Sequence, residues 1–167
     1  TMALRIAYFK IYYPVQYYAC YLKRNASDFD ATRMICELPI LRARLEELND
    51  LEKDEKAKKE GEIGMIEILI EMLCRGVSLL PVSLYESDAE QFLVRPGNRI
   101  LPPLSAFPGM GLLAAQNLAR VRAEGPFISQ EDMVRRKIAR SLVDVLAANG
   151  VLGDLPATSQ VSLCDAG

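Results

Sequence analysis

The segment best suited to chemistry is a turn with two glycines, Pro108-Gly109-Met110-Gly111-Leu112. Glycine permits a positive φ and lets a bound group come close to the backbone. The residues from Gly111 to Glu124 predict a helix, whose first amides have no intrahelical partner and lie at the positive end of the helix dipole. The sequence therefore predicts an anion site, suited to a phosphate, that needs no basic side chain.

The residues around this turn predict how it is held. Met110 is expected to enter the core from within the turn, while Ala115, Leu118 and Val121 face a partner helix. Arg120 and Arg122 lie at the helix end, and whether they reach a phosphate stays open. The segment from Gln116 to Arg140 is the most basic part of the chain, with an excess of three positive charges. A solvated helix face is the alternative interpretation of these charges.

The composition excludes several classes of site. The chain has 167 residues, a net charge of −2 and no histidine, so Ser-His-Asp systems and Cys/His zinc sites are excluded. The acidic pI near 5.3 restricts any nucleic-acid contact to a local surface. Three of the four cysteines (Cys20, Cys36 and Cys74) lie in apolar helical patterns, which favours buried thiols in a reducing cytoplasm. No signal peptide or membrane span is predicted.

The periodicity predicts a mainly α fold with a small β-hairpin. Ser27 or Asp28 is expected to cap a short helix that ends near Cys36, and Ser129 to cap a helix with Asp132. Gly76 is expected to end a helix in the left-handed conformation. Helices are predicted over residues 2–10, 14–24, 40–51, 63–74, 111–124 and 138–148, a hairpin over residues 91–101, and a solvated segment over residues 52–60.

A run of aromatic residues occupies the first two predicted helices, from Tyr8 to Tyr21. Such a stripe could stack on nucleic-acid bases. The alternative is that it belongs to a core, or is covered by a neighbour, and this interpretation is favoured. The chain also begins directly in a helical pattern, which suggests a piece of a longer protein.

Taken in order, these segments resemble the C-terminal part of the alpha subunit of bacterial DNA polymerase III of the PolC type. The resemblance implies tandem helix-hairpin-helix elements, with residues 1–24 ending the fingers region and residues 25–156 forming the hairpin and clamp-binding domain. A second, degenerate hairpin is expected near Ala148-Asn149-Gly150-Val151. The resemblance rests on segments at residues 2–10, 13–14, 17–19, 28–30, 71–76, 82–89, 100–103, 107–111, 123–127, 129–132 and 149–156.

The resemblance also implies partners. Duplex DNA would be held without sequence preference by Pro108, Gly109, Met110, Gly111 and Leu112, with Arg120 and Arg122. Residues 157–167 would be a flexible tail whose Gln160, Val161, Ser162, Leu163 and Cys164 bind a sliding clamp. Cys164 replaces the family's aromatic anchor, and loss of a buried aromatic costs roughly 2–4 kcal/mol. Weak clamp binding, or a more degenerate use of the peptide, is therefore expected.

The catalytic carboxylates and magnesium of the parent enzyme would lie in a palm domain outside this chain. We therefore expect no catalytic residue, no metal and no cofactor in this fragment, which would be inactive alone. Two alternatives remain from the sequence. One is a stand-alone helix-hairpin-helix module that accompanies DNA repair, and the other is a helical protein-interaction adaptor that uses the tyrosine stripe.

Overall fold

A computed structural model of the chain describes residues 1–158. Short 3-10 turns at Ala26–Asp28 and Leu104–Ala106 join the longer elements. The helices are α1 (Met2–Tyr12), α2 (Pro14–Arg24), α3 (Ala31–Met34), α4 (Leu38–Asn49), α5 (Lys53–Lys58), α6 (Glu60–Cys74), α7 (Leu112–Arg122), α8 (Gln130–Arg135) and α9 (Arg140–Ala148). The strands are β1 (Ser78–Leu79), β2 (Leu93–Arg95) and β3 (Arg99–Leu101). The predicted fold class, mainly α with a small β-hairpin, is confirmed.

One hydrophobic core joins α2 to the rest of the molecule. Tyr18 and Leu22 of α2 are fully buried, as are Leu69 and Met72 of α6 and Ile100 of β3. All five belong to one cluster of buried residues that extends to Leu152. The division predicted at residue 24 stays a prediction, but the side chains of α2 share their core with α6 and the sheet.

The sheet has three short strands in the order β1-β3-β2. β2 and β3 form the predicted hairpin, in which Val94 faces Ile100, and the turn between them places Gly97 and Asn98 at positive φ. β1 adds to β3 in parallel, pairing Ser78 with Arg99. The amide of Leu80 donates to the Ile100 carbonyl at 2.8 Å, and Pro81 follows directly after it.

The residues that cap the helices agree with the prediction at Gly76 and differ from it at α3. Gly76 ends α6 at a φ of +79°, as predicted. The short helix α3 is capped by Asp30, whose side chain accepts from the Thr32 amide at 2.8 Å, and not by Ser27 or Asp28. Those two residues lie within the preceding 3-10 turn, so they are one turn too early to reach the amides of α3.

The cysteines are less buried than their patterns predict. Cys20, Cys36 and Cys74 are free thiols, of which Cys20 and Cys74 are exposed and Cys36 is half-buried. The core face of α2 is formed by its neighbours Val15, Tyr18 and Ala19, which leaves Cys20 on the solvent side. Among residues 1–158, no helix has the length and apolar composition that crossing a lipid bilayer requires.

Candidate nucleic-acid interface

The turn with two glycines forms a short hairpin that leads into α7. Gly109 adopts a φ of +81°, which glycine reaches without the steric cost that other residues bear. Met110 follows and is 3% exposed, so it anchors the turn in the core as predicted. The preceding helix is only the 3-10 turn Leu104–Ala106, because Pro102 and Pro103 come directly before it.

Gly111 is not required by the backbone or by packing. It is the N-cap of α7 with a φ of −65° and a ψ of 163°, a conformation open to any residue. A Cβ built at Gly111 would meet no atom within 4 Å among the described residues. The missing side chain instead leaves the start of α7 accessible to a group that approaches from outside.

The first amides of α7 are unpaired. The first helical bond runs from the Ala115 amide to the Gly111 carbonyl at 3.0 Å, and within residues 1–158 the amides of Leu112, Leu113 and Ala114 have no acceptor. α8 differs, because its first two amides donate to the carbonyls of Pro156 and Ala157. The Ser129 hydroxyl accepts from the next amide of α8, that of Asp132, at 3.0 Å. Of these two helix starts, only that of α7 is open to an anion.

A second hairpin lies between α8 and α9, 28 positions after the first. Lys137 takes the place of Gly109 with a φ of +69°, and Ile138 takes the place of Met110 and is 3% exposed. Ala139 is the N-cap of α9, as Gly111 is of α7, with a φ of −60° and a ψ of 135°. In both hairpins a left-handed residue is followed by a buried apolar residue and an extended N-cap.

The second hairpin is therefore not at residues 148–151, where the sequence predicts it. Gly150 has a φ of +71°, and the Val151 amide donates to the Leu146 carbonyl at 3.0 Å. This is the C-cap of α9. No helix follows it within residues 149–158, where Pro156 disfavours one.

Asn117 joins the first hairpin helix to the second hairpin. Its side-chain amide donates to the Lys137 carbonyl at 3.3 Å, and its side-chain oxygen accepts from Arg120 at 2.7 Å. The guanidinium of Arg120 is 67% exposed and lies 3.5 Å from Glu124. Arg120 and Lys137 thus lie on the two sides of Asn117, and both are exposed to solvent.

Two arginines of the basic segment are engaged inside the fold. Arg122 donates to the Leu84 carbonyl at 2.7 Å, and burial lowers the pKa of its guanidinium, which the nearby Asp88 carboxylate partly opposes. Arg136 donates to the Gly125 carbonyl at 2.9 Å and lies 5.0 Å from the centre of the Phe127 ring. Both side chains are half-buried, and they fix α7 and the second hairpin to the loops beside them.

The other predicted site residues divide by exposure. Pro108, Gly109, Gly111 and Leu112 are exposed and Met110 is buried. The DNA contacts predicted for them stay predictions, as do those of Arg120 and Arg122. The predicted clamp-binding residues Gln160, Val161, Ser162, Leu163 and Cys164 lie outside the described residues. Sequence reasoning included Lys137 in the basic segment but missed its place in a hairpin, and it missed Asn117. Neither residue type signals a hairpin, although the repeat of apolar residues at a spacing of 28 could have revealed it.

Comparison with known proteins agrees with this geometry. A sequence family described as "Helix-hairpin-helix motif" matches residues 76–160, which include both hairpins. The chain is 42% identical over 163 residues to DNA polymerase III PolC-type of Halalkalibacterium halodurans. It is 39% identical over 163 residues to the protein of that name from Bacillus subtilis, and 38% identical over 164 residues to that from Thermotoga maritima. The predicted resemblance is confirmed.

These matches cover almost all of this chain and little of the relatives. The three alignments include 97–98% of the chain but only 11–12% of each relative. The chain therefore spans about a tenth of the length of the curated relatives that it matches.

Proposed function

The chain belongs to the helix-hairpin-helix family, and on that premise we propose that it is the duplex-holding part of a PolC-type DNA polymerase III, from the C-terminal region of that enzyme. The observation that carries the proposal is the start of α7. There three unpaired amides meet an N-cap glycine that neither the backbone nor the packing requires. A phosphate oxygen is the ligand that such a site fits best.

The contacts would be made to the DNA backbone alone. A phosphate at Gly111 accepts from the first amides of α7 and is stabilised by the helix dipole. Arg120 and Lys137, which flank Asn117, would reach neighbouring phosphates. Because none of these groups reads a base edge, binding would be independent of sequence.

Titration of the chain with duplex DNA at two salt concentrations tests this proposal. If Arg120 and Lys137 each neutralise one phosphate, the affinity falls about tenfold between about 50 and about 200 mM salt. Replacing Gly109 and Gly111 together should abolish the binding. Absence of binding at the lower salt concentration would instead support the helical adaptor.

Nucleotide transfer is assigned to the rest of the enzyme. Two-metal catalysis needs converging carboxylates, and residues 1–158 hold no group of three Asp, Glu, Cys or His side chains placed to bind a metal. Magnesium would be held by the palm of the parent enzyme, where it would supply the electrostatic stabilisation of phosphoryl transfer. Primer extension with the chain alone and magnesium should give no incorporation, and metal-dependent incorporation would contradict this assignment.

A sliding clamp is the proposed protein partner, through Gln160–Cys164 in a cytoplasmic replication complex. In the sequence Gln160-Val161-Ser162-Leu163-Cys164, Gln160 matches the polar first residue of the family's clamp-binding peptide. Leu163 matches the leucine that precedes its aromatic anchor. Cys164→Phe should strengthen clamp binding by about 30-fold or more, since a buried aromatic contributes roughly 2 kcal/mol or more at such an interface. Cys164→Ser is the control and should not strengthen it. Equal clamp affinities for the three proteins would exclude this peptide as the contact.

A further inference from the structure

The helix α1 is apolar but has no place in the core. None of residues 2–12 is buried. The exposed fractions of its largest side chains range from 43% for Phe9 to 74% for Met2. The large apolar side chains that α1 and the residue after it expose are Met2, Leu4, Ile6, Tyr8, Phe9, Ile11, Tyr12 and Tyr13.

These side chains lie on two sides of the helix. At 100° per residue, Met2, Ile6 and Phe9 fall on one face. The opposite face carries Leu4, Tyr8, Ile11 and Tyr12, and the Tyr8 and Tyr12 rings lie 4.5 Å apart. Lys10 lies between the two faces. It forms the ion pair with Glu71 that ties α1 to α6, and its ammonium lies 5.5 Å from the centre of the Tyr17 ring.

A helix with apolar side chains on two sides is typical of a helix enclosed by protein. A helix in a groove, or in a seam between two copies of one chain, needs only one apolar stripe. The relatives are long enough to supply the enclosing protein, because 88–89% of each lies outside the matched residues. We infer that α1 is enclosed on both faces by the part of the longer polymerase chain outside these 167 residues. This inference rests on the proposed function.

Amide hydrogen exchange, compared between the 167-residue chain and the full-length polymerase that contains it, tests the enclosure. The amides of α1 should exchange about 100-fold or more slowly in the full-length protein than in the short chain, because enclosure removes local opening. Those of α6, which already lies in the core of the short chain, should exchange alike. Equal exchange of α1 in both proteins would overturn the inference. So would protection of α1 in the short chain that rises with its concentration, since a second copy would then be the partner.

Two charge substitutions separate the faces. Ile6→Lys on one face and Tyr8→Lys on the other should each lower the melting temperature of the full-length polymerase while leaving that of the short chain unchanged. Arg5→Lys, which keeps the charge of an exposed residue of α1, is the matched control and should change neither. An effect from only one face would reduce the proposed enclosure to a groove and contradict it.

These readouts are separate from DNA binding. The short chain with either substitution should bind duplex DNA like the parent chain, because the hairpins lie on other elements. Failure of the short chain to bind duplex DNA, or binding that does not depend on Gly111, would contradict the proposed function. Equal exchange of the α1 amides in the short chain and in the full-length polymerase would contradict the enclosure alone.

Discussion

The two hairpins share a backbone conformation but carry different residues at equivalent positions. In the first, Gly109 and Gly111 leave the start of α7 without side chains. In the second, Lys137 and Ala139 occupy the same two positions. Among residues 1–158, the first hairpin offers three amides without an acceptor, and the second adds an exposed ammonium group to a left-handed turn.

This difference shows how an acidic chain can hold a polyanion. The net charge is −2, so the surface as a whole does not attract DNA. The first amides of α7 supply positive potential without a charged residue. The exposed Lys137, whose backbone carbonyl accepts from the Asn117 side chain, adds a cation on the second hairpin. We therefore expect the first hairpin to provide most of the affinity and the second to provide part of its salt dependence.

Among the substitutions that compare the two hairpins with each other, the largest expected effect comes from exchanging their N-cap residues. Gly111→Ala should weaken duplex binding about tenfold because its methyl group obstructs the approach to the amides of α7. Ala139→Gly should strengthen binding about threefold for the converse reason. Fluorescence anisotropy with a labelled duplex measures both, well below the melting temperature because alanine is a poorer N-cap than glycine. If Gly111→Ala and Ala139→Gly changed the duplex affinity by the same factor, or if neither changed it, the proposed distinction between the hairpins would be contradicted.

The next effect separates the exposed Arg120 from the half-buried Arg122. Arg122→Gln should lower the free energy of unfolding by about 1–3 kcal/mol, since the Leu84 carbonyl loses its donor, with the salt dependence of DNA binding unchanged. Arg120→Gln should leave stability within about 0.5 kcal/mol and reduce the slope of log affinity against log salt by about one. Urea unfolding and salt titration measure the two quantities. A reduced slope for Arg122→Gln would show that this arginine contacts phosphate.

Lys137→Gly should alter stability and binding in opposite directions. Glycine relieves the positive φ of Lys137, so the free energy of unfolding should rise by roughly 0.5–1 kcal/mol. Removal of the ammonium should weaken DNA binding about threefold and reduce the salt slope by about one. Lys137→Asn, which tolerates a positive φ, is the control for the charge. Unchanged binding in both variants would restrict the interface to the first hairpin.

The smallest expected effect is that of pH. Because the chain has no histidine, DNA affinity should vary by no more than about twofold between pH 6 and pH 8 at constant ionic strength. In acid, stability should fall. The backbone amides of Glu90 and Gln91 lower the pKa of Asp88, so its contribution is complete above the unfolded pKa and is lost as the pH falls through the folded value. A marked change of affinity near neutral pH would require a titrating group that this account does not include.

The local elements were predictable because their signals are local. Pro14 begins α2, Gly76 ends α6 and Ser129 caps α8, each through the conformation or hydrogen bond that its residue type favours. The first hairpin was predictable because its glycine-rich turn leads directly into a helical pattern and because the neighbouring segments resemble those of a family with such hairpins.

The tertiary roles were not predictable from one sequence. Lysine rarely adopts a positive φ, so the second hairpin is not visible at Lys137. The role of Arg122 depends on the loop that contains Leu84, 38 residues away in sequence. Similarly, nothing in the periodicity of α1 distinguishes a helix of the core from one that exposes its apolar residues.

The central claim is that the open start of α7 holds a phosphate, and Gly111→Asp tests it most directly. An aspartate N-cap favours the helix through its charge and its hydrogen bond to the first turn, while it occupies the amides and repels a phosphate. Gln16→Glu, which places the same charge in the first turn of α2, is the matched control. We predict that Gly111→Asp leaves the melting temperature unchanged or raised and weakens duplex binding about 100-fold or more, while Gln16→Glu binds like the parent chain. Duplex binding by a stably folded Gly111→Asp chain at the parent affinity would contradict the claim.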